Sequence, residues 1–102
     1  MIYVIATVTV IKGKRTDFLE EFRKVLPLVH KEAGCIEYGP TIDVNTGIPA
    51  QKLVRDNVIT IMEKWESIEA LQAHLTAPHM TVYRTRVKDL VVSTAIRILR
   101  PA

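Results

Sequence analysis

The stretch from Ile2 to Ile11 constrains the fold most, because it is rich in β-branched residues and is apolar on both alternating faces. Successive side chains of a strand point to opposite faces of its sheet. One face carries only apolar residues and the other mixes apolar residues with threonines, namely Ile2, Val4, Ala6, Val8 and Val10 against Tyr3, Ile5, Thr7, Thr9 and Ile11. This pattern predicts a strand that is covered on both sides.

A predicted amphipathic helix follows the first strand. Thr16 is expected to cap this helix, in which apolar residues recur at helical spacing. Those apolar residues are Phe18, Leu19, Phe22, Val25, Leu26 and Val29. Because proline removes a backbone donor and clashes with the preceding turn, Pro27 is expected to end the helix near Leu26. A turn-rich segment then runs to Ala33, with His30 on the surface.

The middle of the chain contains two further predicted strands. Residues Cys35 to Asp43 alternate between the two faces, and Pro40 places this second strand at an edge or a bulge of the sheet. Residues Val44 to Asn57 are rich in turn formers and predict an extended loop with the length to cover the mouth of a pocket. Residues Val58 to Trp65 predict the third strand.

Two short helices and a last strand complete the chain. Ser67 is expected to cap the first of these helices, and Pro78 to open the second. Their predicted inward residues are Ile68, Leu71 and Leu75 in the first and Met80, Tyr83, Val87, Leu90 and Val91 in the second. The last strand is expected from Ser93 to Leu99.

The order of these elements is β-α-β-β-α-β, with the second helical element in two pieces. This order predicts an α+β fold of the ferredoxin-like split βαβ type, in which residues 1–102 form one domain. Helices then cover one face of an antiparallel sheet and leave the other face of the first strand open. Since closed two-fold dimers are the commonest oligomers, we expect a homodimer that packs sheet against sheet.

The composition excludes several classes of function. The net charge of +3 comes from 14 basic and 11 acidic residues that are interspersed, so no basic face for nucleic acid is predicted. No apolar run has the length to cross a bilayer, and no signal peptide is recognised, so we expect a cytoplasmic protein without a membrane partner. Cys35 is the single cysteine and is expected to be a buried, inert thiol.

The third predicted strand carries a carboxylate and an indole on one face. Glu63 and Trp65 alternate there with Ile59 and Ile61. If this face looks onto the helices, Glu63 is a semi-buried acid beside an aromatic wall, with a raised pKa suited to proton transfer. The alternative, a rim position in which Glu63 pairs with a lysine or arginine, is the more common fate of such a residue.

The two short helices carry the remaining polar candidates. His79, Tyr83 and Arg86 share one stripe of the last helix. His79 lies in the first turn, where the positive helix end favours a neutral ring that can accept a proton. His74 lies on the preceding helix, and its spacing leaves its direction open. Because His74 and His79 are separated by a proline and lack the spacing of a helical metal pair, no metal site is expected.

Two motifs resemble the antibiotic biosynthesis monooxygenase domain, namely Glu63-Lys64-Trp65-Glu66-Ser67 and Ala73-His74-Leu75-Thr76-Ala77-Pro78-His79-Met80. The resemblance covers nearly the whole chain, and the segment from Ile96 to Pro101 is similar to the bacterial quinol monooxygenase branch. It implies a dimeric α+β barrel with a pocket in each subunit. It also implies oxygenation of quinol, phenolic or polycyclic aromatic substrates by dioxygen, without metal, flavin or any other cofactor.

The resemblance further implies roles for individual residues. The expected catalytic residues are His79, Trp65 and Glu63, and the expected substrate-binding residues are Tyr83, His74, Arg86 and Tyr38. Some relatives carry an asparagine four residues before the tryptophan, where this chain has Ile61. The first-strand asparagine of the haem-degrading branch corresponds to Ala6, which disfavours haem as a substrate.

Two other functions remain open at this point. An isomerase of a small hydroxyketone would use Glu63 or His79 as a proton shuttle and would need no oxygen. A non-catalytic dimeric module would only capture an aromatic ligand beside Trp65, since a fold does not fix a function.

Overall fold

The computed structural model describes residues 1–102 and contains four strands and three helices. They are β1 (Ile2–Val10), α1 (Arg15–His30), β2 (Cys35–Thr41), β3 (Val58–Trp65), α2 (Ile68–Leu75), α3 (Pro78–Val87) and β4 (Val91–Leu99). This order confirms the predicted α+β ferredoxin-like arrangement, including the division of the second helical element. No helix combines the length and the apolar character that a membrane span requires.

The four strands form one antiparallel sheet in the order β2-β3-β1-β4. The sheet is open, with β2 and β4 at its edges, so a single chain does not close a barrel. Pro40 lies on edge strand β2, and the register of β2 against β3 shifts between Cys35 and Glu37. The prediction of an edge or a bulge at Pro40 is therefore confirmed.

Helix α1 differs from its prediction at both ends. It continues through Pro27 to His30, so the expected break near Leu26 is wrong. Four buried apolar side chains lie on both sides of the proline and hold the helix against the sheet, namely Phe18, Phe22, Val25 and Val29. Packing of an apolar face outweighs the lost hydrogen bond. The N-cap is Lys14 without a side-chain cap, so the prediction of Thr16 as the cap is also wrong.

The two later helices follow the sequence more closely. The Ala70 amide donates to Ser67 Oγ over 3.1 Å, which confirms the predicted cap of α2. Pro78 opens α3, and its buried residues Met80, Tyr83 and Val87 were predicted. Helix α3 ends at Val87, and β4 already begins at Val91, two residues before its predicted start. A tight turn, in which the Leu90 amide donates to the Val87 carbonyl, replaces the expected end of the helix.

The core lies between the helices and one face of the sheet. In the register of β1 with β3, Val4 pairs with Glu63 and Ala6 with Ile61, and all of these residues are buried. On the other side of β1, Ala6 pairs with Ile96 of β4. Ile96 is 47% exposed, because the helices do not extend over β4. The uncovered surface therefore includes the helix-side face of β4 as well as the outer face of the sheet.

Candidate active site

A cavity of about 450 Å³ lies between the sheet and helices α2 and α3. Ten of its fourteen lining residues are apolar or aromatic, namely Ala6, Val8, Tyr38, Ile61, Leu75, Met80, Tyr83, Val87, Val91 and Ile96. The four others are Glu63, His74, Arg84 and Thr94. An apolar cavity with a few converging polar groups is the usual form of a small-molecule site.

Glu63 is the buried acid of this cavity. Its alternation with Ile61 on β3 turns it toward the helices, where it is only 7% exposed. Trp65 Nε1 donates to Glu63 Oε1 over 2.9 Å. Burial raises the pKa of Glu63 to about 7, although the Trp65 hydrogen bond acts in the opposite direction. The rim position paired with a lysine or arginine, which the sequence favoured, is therefore wrong, and the carboxyl group is poised for proton transfer near neutral pH.

Trp65 is fully buried and does not line the cavity. Its ring centroid lies 4.7 Å from that of His74 and 6.3 Å from that of Tyr38. The indole thus forms a layer behind the cavity wall, where it packs on His74 and Tyr38 and donates its hydrogen bond to Glu63. The structure places Trp65 where it fixes the carboxyl group, rather than where a substrate would stack on it.

His74 and His79 meet at a carboxylate that the sequence did not single out. Glu32, in the turn after α1, brings Oε2 to 2.9 Å from His74 Nδ1 and 2.8 Å from His79 Nε2. His74 is 2% exposed and lines the cavity, whereas His79 is 22% exposed and lines a small outer groove between α1 and α3. Glu32 lies 42 and 47 residues before these histidines, so only the folded chain reveals the cluster.

The two buried tyrosines and one arginine complete the polar lining. Burial raises the pKa of both the Tyr38 and the Tyr83 hydroxyl, so each remains a neutral donor. Arg84 lines the cavity, and its Nη2 donates to the Leu75 carbonyl over 2.7 Å. Arg86 is exposed and lies with His79 in the outer groove. The helical stripe that pointed to Arg86 missed Arg84 because α3 turns the face of Met80, Arg84 and Val87 to the cavity, and Tyr83 borders both the cavity and the outer groove.

The loop after β2 and Cys35 differ from their predicted positions. No residue of the loop from Val44 to Asn57 lines the cavity, so within one chain the loop does not cover the pocket mouth. Cys35 is partly exposed rather than buried, and burial together with the charges of Glu32 and Glu63 raises its pKa. A thiol with a raised pKa fits the expectation of low reactivity.

No group of three or more His, Cys, Asp or Glu side chains has an arrangement that could hold a metal ion.

Residues 1–86 of the 102 match the family described as "Antibiotic biosynthesis monooxygenase". The chain belongs to the antibiotic biosynthesis monooxygenase family. An Escherichia coli (strain K12) member, named "Probable quinol monooxygenase YgiN", is 42% identical over 103 residues, which cover 99% of this chain and 98% of that protein. The family and this relative together support a monooxygenase activity.

Solved structures show the same fold at low sequence identity. A conserved protein from Methanosarcina mazei Go1 has a TM-score of 0.83 at 22% identity, covering 99% of this chain and 92% of its own. PA3566 from Pseudomonas aeruginosa has a TM-score of 0.80 at 24% identity, covering 99% and 94%. These similarities support the architecture described above.

The floor of this cavity is apolar where β1 and β3 pair. Ile61 of β3 and Ala6 of β1 are directly paired. Both residues line the cavity. No amide is therefore present at this pair, and the polar lining groups of the sheet are Glu63 on β3 and Thr94 on β4.

Proposed function

We propose that this protein is a cofactor-independent monooxygenase that oxidises quinols or related phenolic and polycyclic aromatic compounds with dioxygen. The observation that carries the proposal is Glu63, a carboxyl group with a pKa of about 7 inside an apolar cavity. Because its pKa is close to neutral pH, such a group can both take up a phenolic proton and return it later. The curated relative's name, which specifies a quinol, supports the substrate class.

The proposed chemistry needs only the substrate, dioxygen and a proton carrier. Removal of a hydroxyl proton gives a phenolate, which is electron-rich enough to pass one electron to dioxygen. The resulting oxygen species joins a free ring carbon as a peroxide. Loss of the proton from that carbon and cleavage of the O–O bond then release water. One oxygen atom enters the ring, so that a phenol becomes a quinone and a quinol becomes a hydroxyquinone.

The lining residues fit separate parts of this reaction. Glu63 carries the proton from the phenol to the peroxide and from the ring carbon to the departing oxygen. Tyr38 and Tyr83 offer neutral hydroxyl donors for the substrate oxygens. The Arg84 guanidinium places a positive charge beside the cavity, where negative charge develops on the reduced oxygen. Trp65 and His79 do not line the cavity; Trp65 hydrogen-bonds to Glu63, and His79 to Glu32.

We also propose that the working unit is a homodimer. Strand β4 contributes residues to the cavity lining, yet eight of its nine positions are exposed. The exposed positions include the apolar Ile96 and Ile98. An apolar edge of this kind is unfavourable in water and suits a second copy of the chain. Sedimentation of the purified protein should show a dimer, and Ile98→Asp should shift it toward the monomer.

Oxygen consumption by metal-stripped protein tests the oxygenase proposal. With reduced naphthoquinones and naphthols, the protein should accelerate oxygen uptake well above autoxidation. Labelled dioxygen should deliver one atom to the ring and one to water. A panel of quinols and phenols on which the protein never exceeds autoxidation would remove this proposal.

One observation also suits a second candidate, an isomerase of a small hydroxyketone. Glu63 and His74 are two proton carriers on one cavity, and proton transfer alone requires no oxygen. Anaerobic exchange of a carbon-bound substrate proton with deuterated water would identify this reaction. A substrate that is turned over only when oxygen is present would exclude it.

A further inference from the structure

Glu32 joins three segments of the chain through one oxygen atom. Its Oε2 is 2.9 Å from Nδ1 of His74 on α2 and 2.8 Å from Nε2 of His79 on α3, and Glu32 itself lies just after α1. The side chain of Glu32 is 13% exposed and that of His74 is 2% exposed. A carboxylate shared by two imidazoles in so buried a position is a built arrangement rather than a surface encounter.

The chemistry of the three groups fixes where their protons are. A carboxylate oxygen only accepts hydrogen bonds, so each imidazole must present an N–H to it. His74 then carries its proton on Nδ1, and its Nε2 holds a lone pair. The protein supplies no hydrogen-bond partner to Nε2, and His74 lines the cavity. Nε2 is thus the ring nitrogen that remains available to a ligand.

We propose that Glu32 is a positioning residue that holds His74 in the tautomer with an unprotonated Nε2, making His74 a second proton acceptor of the cavity, and that His79 anchors Glu32 from the solvent side. This inference rests on the proposed function and extends it to quinols, which carry two hydroxyl groups. Glu63 takes the proton of one hydroxyl group and His74 takes that of the other.

The proton transfer at His74 is balanced and reversible. The second hydroxyl proton of the quinol moves to Nε2, and the ring becomes an imidazolium with an N–H on each nitrogen. The negative charge of Glu32 lies next to the Nδ1–H and compensates the new positive charge. The departing oxygen leaves as water with the two protons that Glu63 carries, so Nε2 returns its own proton to the substrate oxygen that released it, as the hydroxyl group of the hydroxyquinone, and His74 regains its starting tautomer.

The groups around His74 act on it in opposite directions. Burial lowers its pKa most, and His79 and Arg84 lower it further, whereas the hydrogen bond and the charge of Glu32 raise it. The Tyr38 ring centroid lies 5.1 Å from that of His74, and Trp65 lies on the side of β3. Neither of these aromatic groups is charged, so Glu32 is the one neighbour that favours the protonated ring.

Nitrogen NMR of the substrate-free protein tests the tautomer directly. In ¹⁵N-histidine-labelled protein, His74 should show a protonated Nδ1 and an unprotonated Nε2 at neutral pH. In Glu32→Gln, whose amide can donate as well as accept, the two tautomers should mix, and the pKa of His74 should fall because the charge of Glu32 that raises it is removed. Glu69→Gln, an exposed charge change on the same helix, should alter neither quantity. A wild-type His74 protonated on Nε2 overturns the proposal.

Kinetics with quinols complete the test. Glu32→Gln should lower kcat about tenfold with little change in KM, and the acid limb of its pH profile should move down with the pKa of His74. His79→Gln keeps an N–H donor for Glu32, so its kcat should lie above that of His79→Leu, which leaves Glu32 without this donor. A fall in kcat and melting temperature together, with the wild-type tautomer intact in Glu32→Gln, would show that Glu32 is only structural.

The two proposals fail in different ways. If the tautomer is as expected but no quinol is turned over, the Glu32–His74 arrangement stands and the oxygenase proposal falls. If quinols are turned over but His74→Gln leaves kcat and its pH profile unchanged, the oxygenase proposal stands and His74 is not a proton acceptor.

Discussion

The two walls of the cavity hold their proton carriers in different ways. On the sheet wall, Glu63 lies on β3, whose backbone is hydrogen-bonded to β1 on one side and to β2 on the other. On the helix wall, His74 lies on α2, a helix of eight residues. Besides the buried Leu71, its contacts include that of His74 with Glu32 and the close approach of Gly34 to Ala70.

Because of this difference, substitutions on the two walls should have different effects. A side chain on a central strand is positioned by the backbone on both sides, so a substitution there alters chemistry or packing without moving its neighbours. A short helix has few backbone partners outside itself, so its position depends on single side-chain contacts. Substitutions on the sheet wall should therefore separate activity from position, whereas those on the helix wall should change both.

Trp65→Ala is the largest expected effect and tests the packing of the sheet wall. The indole is fully buried against His74 and Tyr38, so its loss should lower the free energy of unfolding by about 3–5 kcal/mol. Urea denaturation measures this change. Trp65→Phe should cost much less. It should raise the pKa of Glu63, because the hydrogen bond from Trp65 lowers that pKa. An unshifted pH profile in Trp65→Phe would separate Trp65 from the proton chemistry.

Glu63→Gln should reduce activity while leaving the sheet wall in place. Removal of a general base typically costs about 10²-fold or more in rate. The amide can still accept the hydrogen bond from Trp65, so the loss should appear in kcat rather than in folding. Steady-state kinetics with a quinol measure it, with the exposed Glu20→Gln as a charge-matched control. An active Glu63→Gln would transfer the proton chemistry to the helix wall.

The same variant should gain stability at high pH. The pKa of Glu63 is raised in the folded protein from 4.5 to about 7, so the folded state keeps a proton that the unfolded chain has lost between these values. The contribution of Glu63 to the stability of the wild-type protein is therefore full below about pH 4.5 and is lost as the pH rises toward 7. Glu63→Gln cannot ionise and should exceed wild type by on the order of 2–3 kcal/mol at pH 8. Equal stabilities at pH 4 complete the comparison.

The sequence predicted the sheet wall better than the helix wall. Alternation on β3 is a local property, and it placed Glu63 and Trp65 on the correct face. It did not show whether Glu63 is buried or at the rim, because burial depends on the distant helices. On the helix wall, neither the link through Glu32 nor the choice of Arg84 over Arg86 follows from helical spacing. Both depend on how α2 and α3 are rotated against the rest of the chain.

The fold shows the same division between local and distant causes. The boundaries of β3 and the cap at Ser67 depend on neighbouring residues and were predicted correctly. The continuation of α1 through Pro27 depends on buried contacts with the sheet, which no local rule contains. Likewise, the sequence indicated that β1 needs cover on both faces, but not that β4 would leave the helix-side face exposed.

Gly34→Ala should lower the free energy of unfolding by about 2 kcal/mol or more, because two effects combine at the helix wall. Gly34 has a φ of +82°, which disfavours any Cβ, and an added Cβ would lie 2.6 Å from Ala70 Cβ on α2. Gly13→Ala is the matched control, since its φ is +83° and nothing lies within 4 Å. The excess of Gly34→Ala over Gly13→Ala in thermal denaturation measures the clash with α2. It should be accompanied by a perturbed His74 signal in NMR.

Ser67→Ala and Thr16→Ala test the smallest effect, the capping of the helices. Ser67 Oγ accepts the Ala70 amide at the start of α2, so its loss should cost about 1 kcal/mol. Thr16 caps nothing, because α1 starts at Arg15 after Lys14, and Thr16→Ala should change stability by less than about 0.5 kcal/mol. Since α2 has few other anchors, Ser67→Ala should also broaden the NMR signals of His74, whereas Thr16→Ala should leave them sharp. If Ser67→Ala leaves both stability and His74 unchanged, the contact with Glu32 alone is sufficient to hold the helix wall.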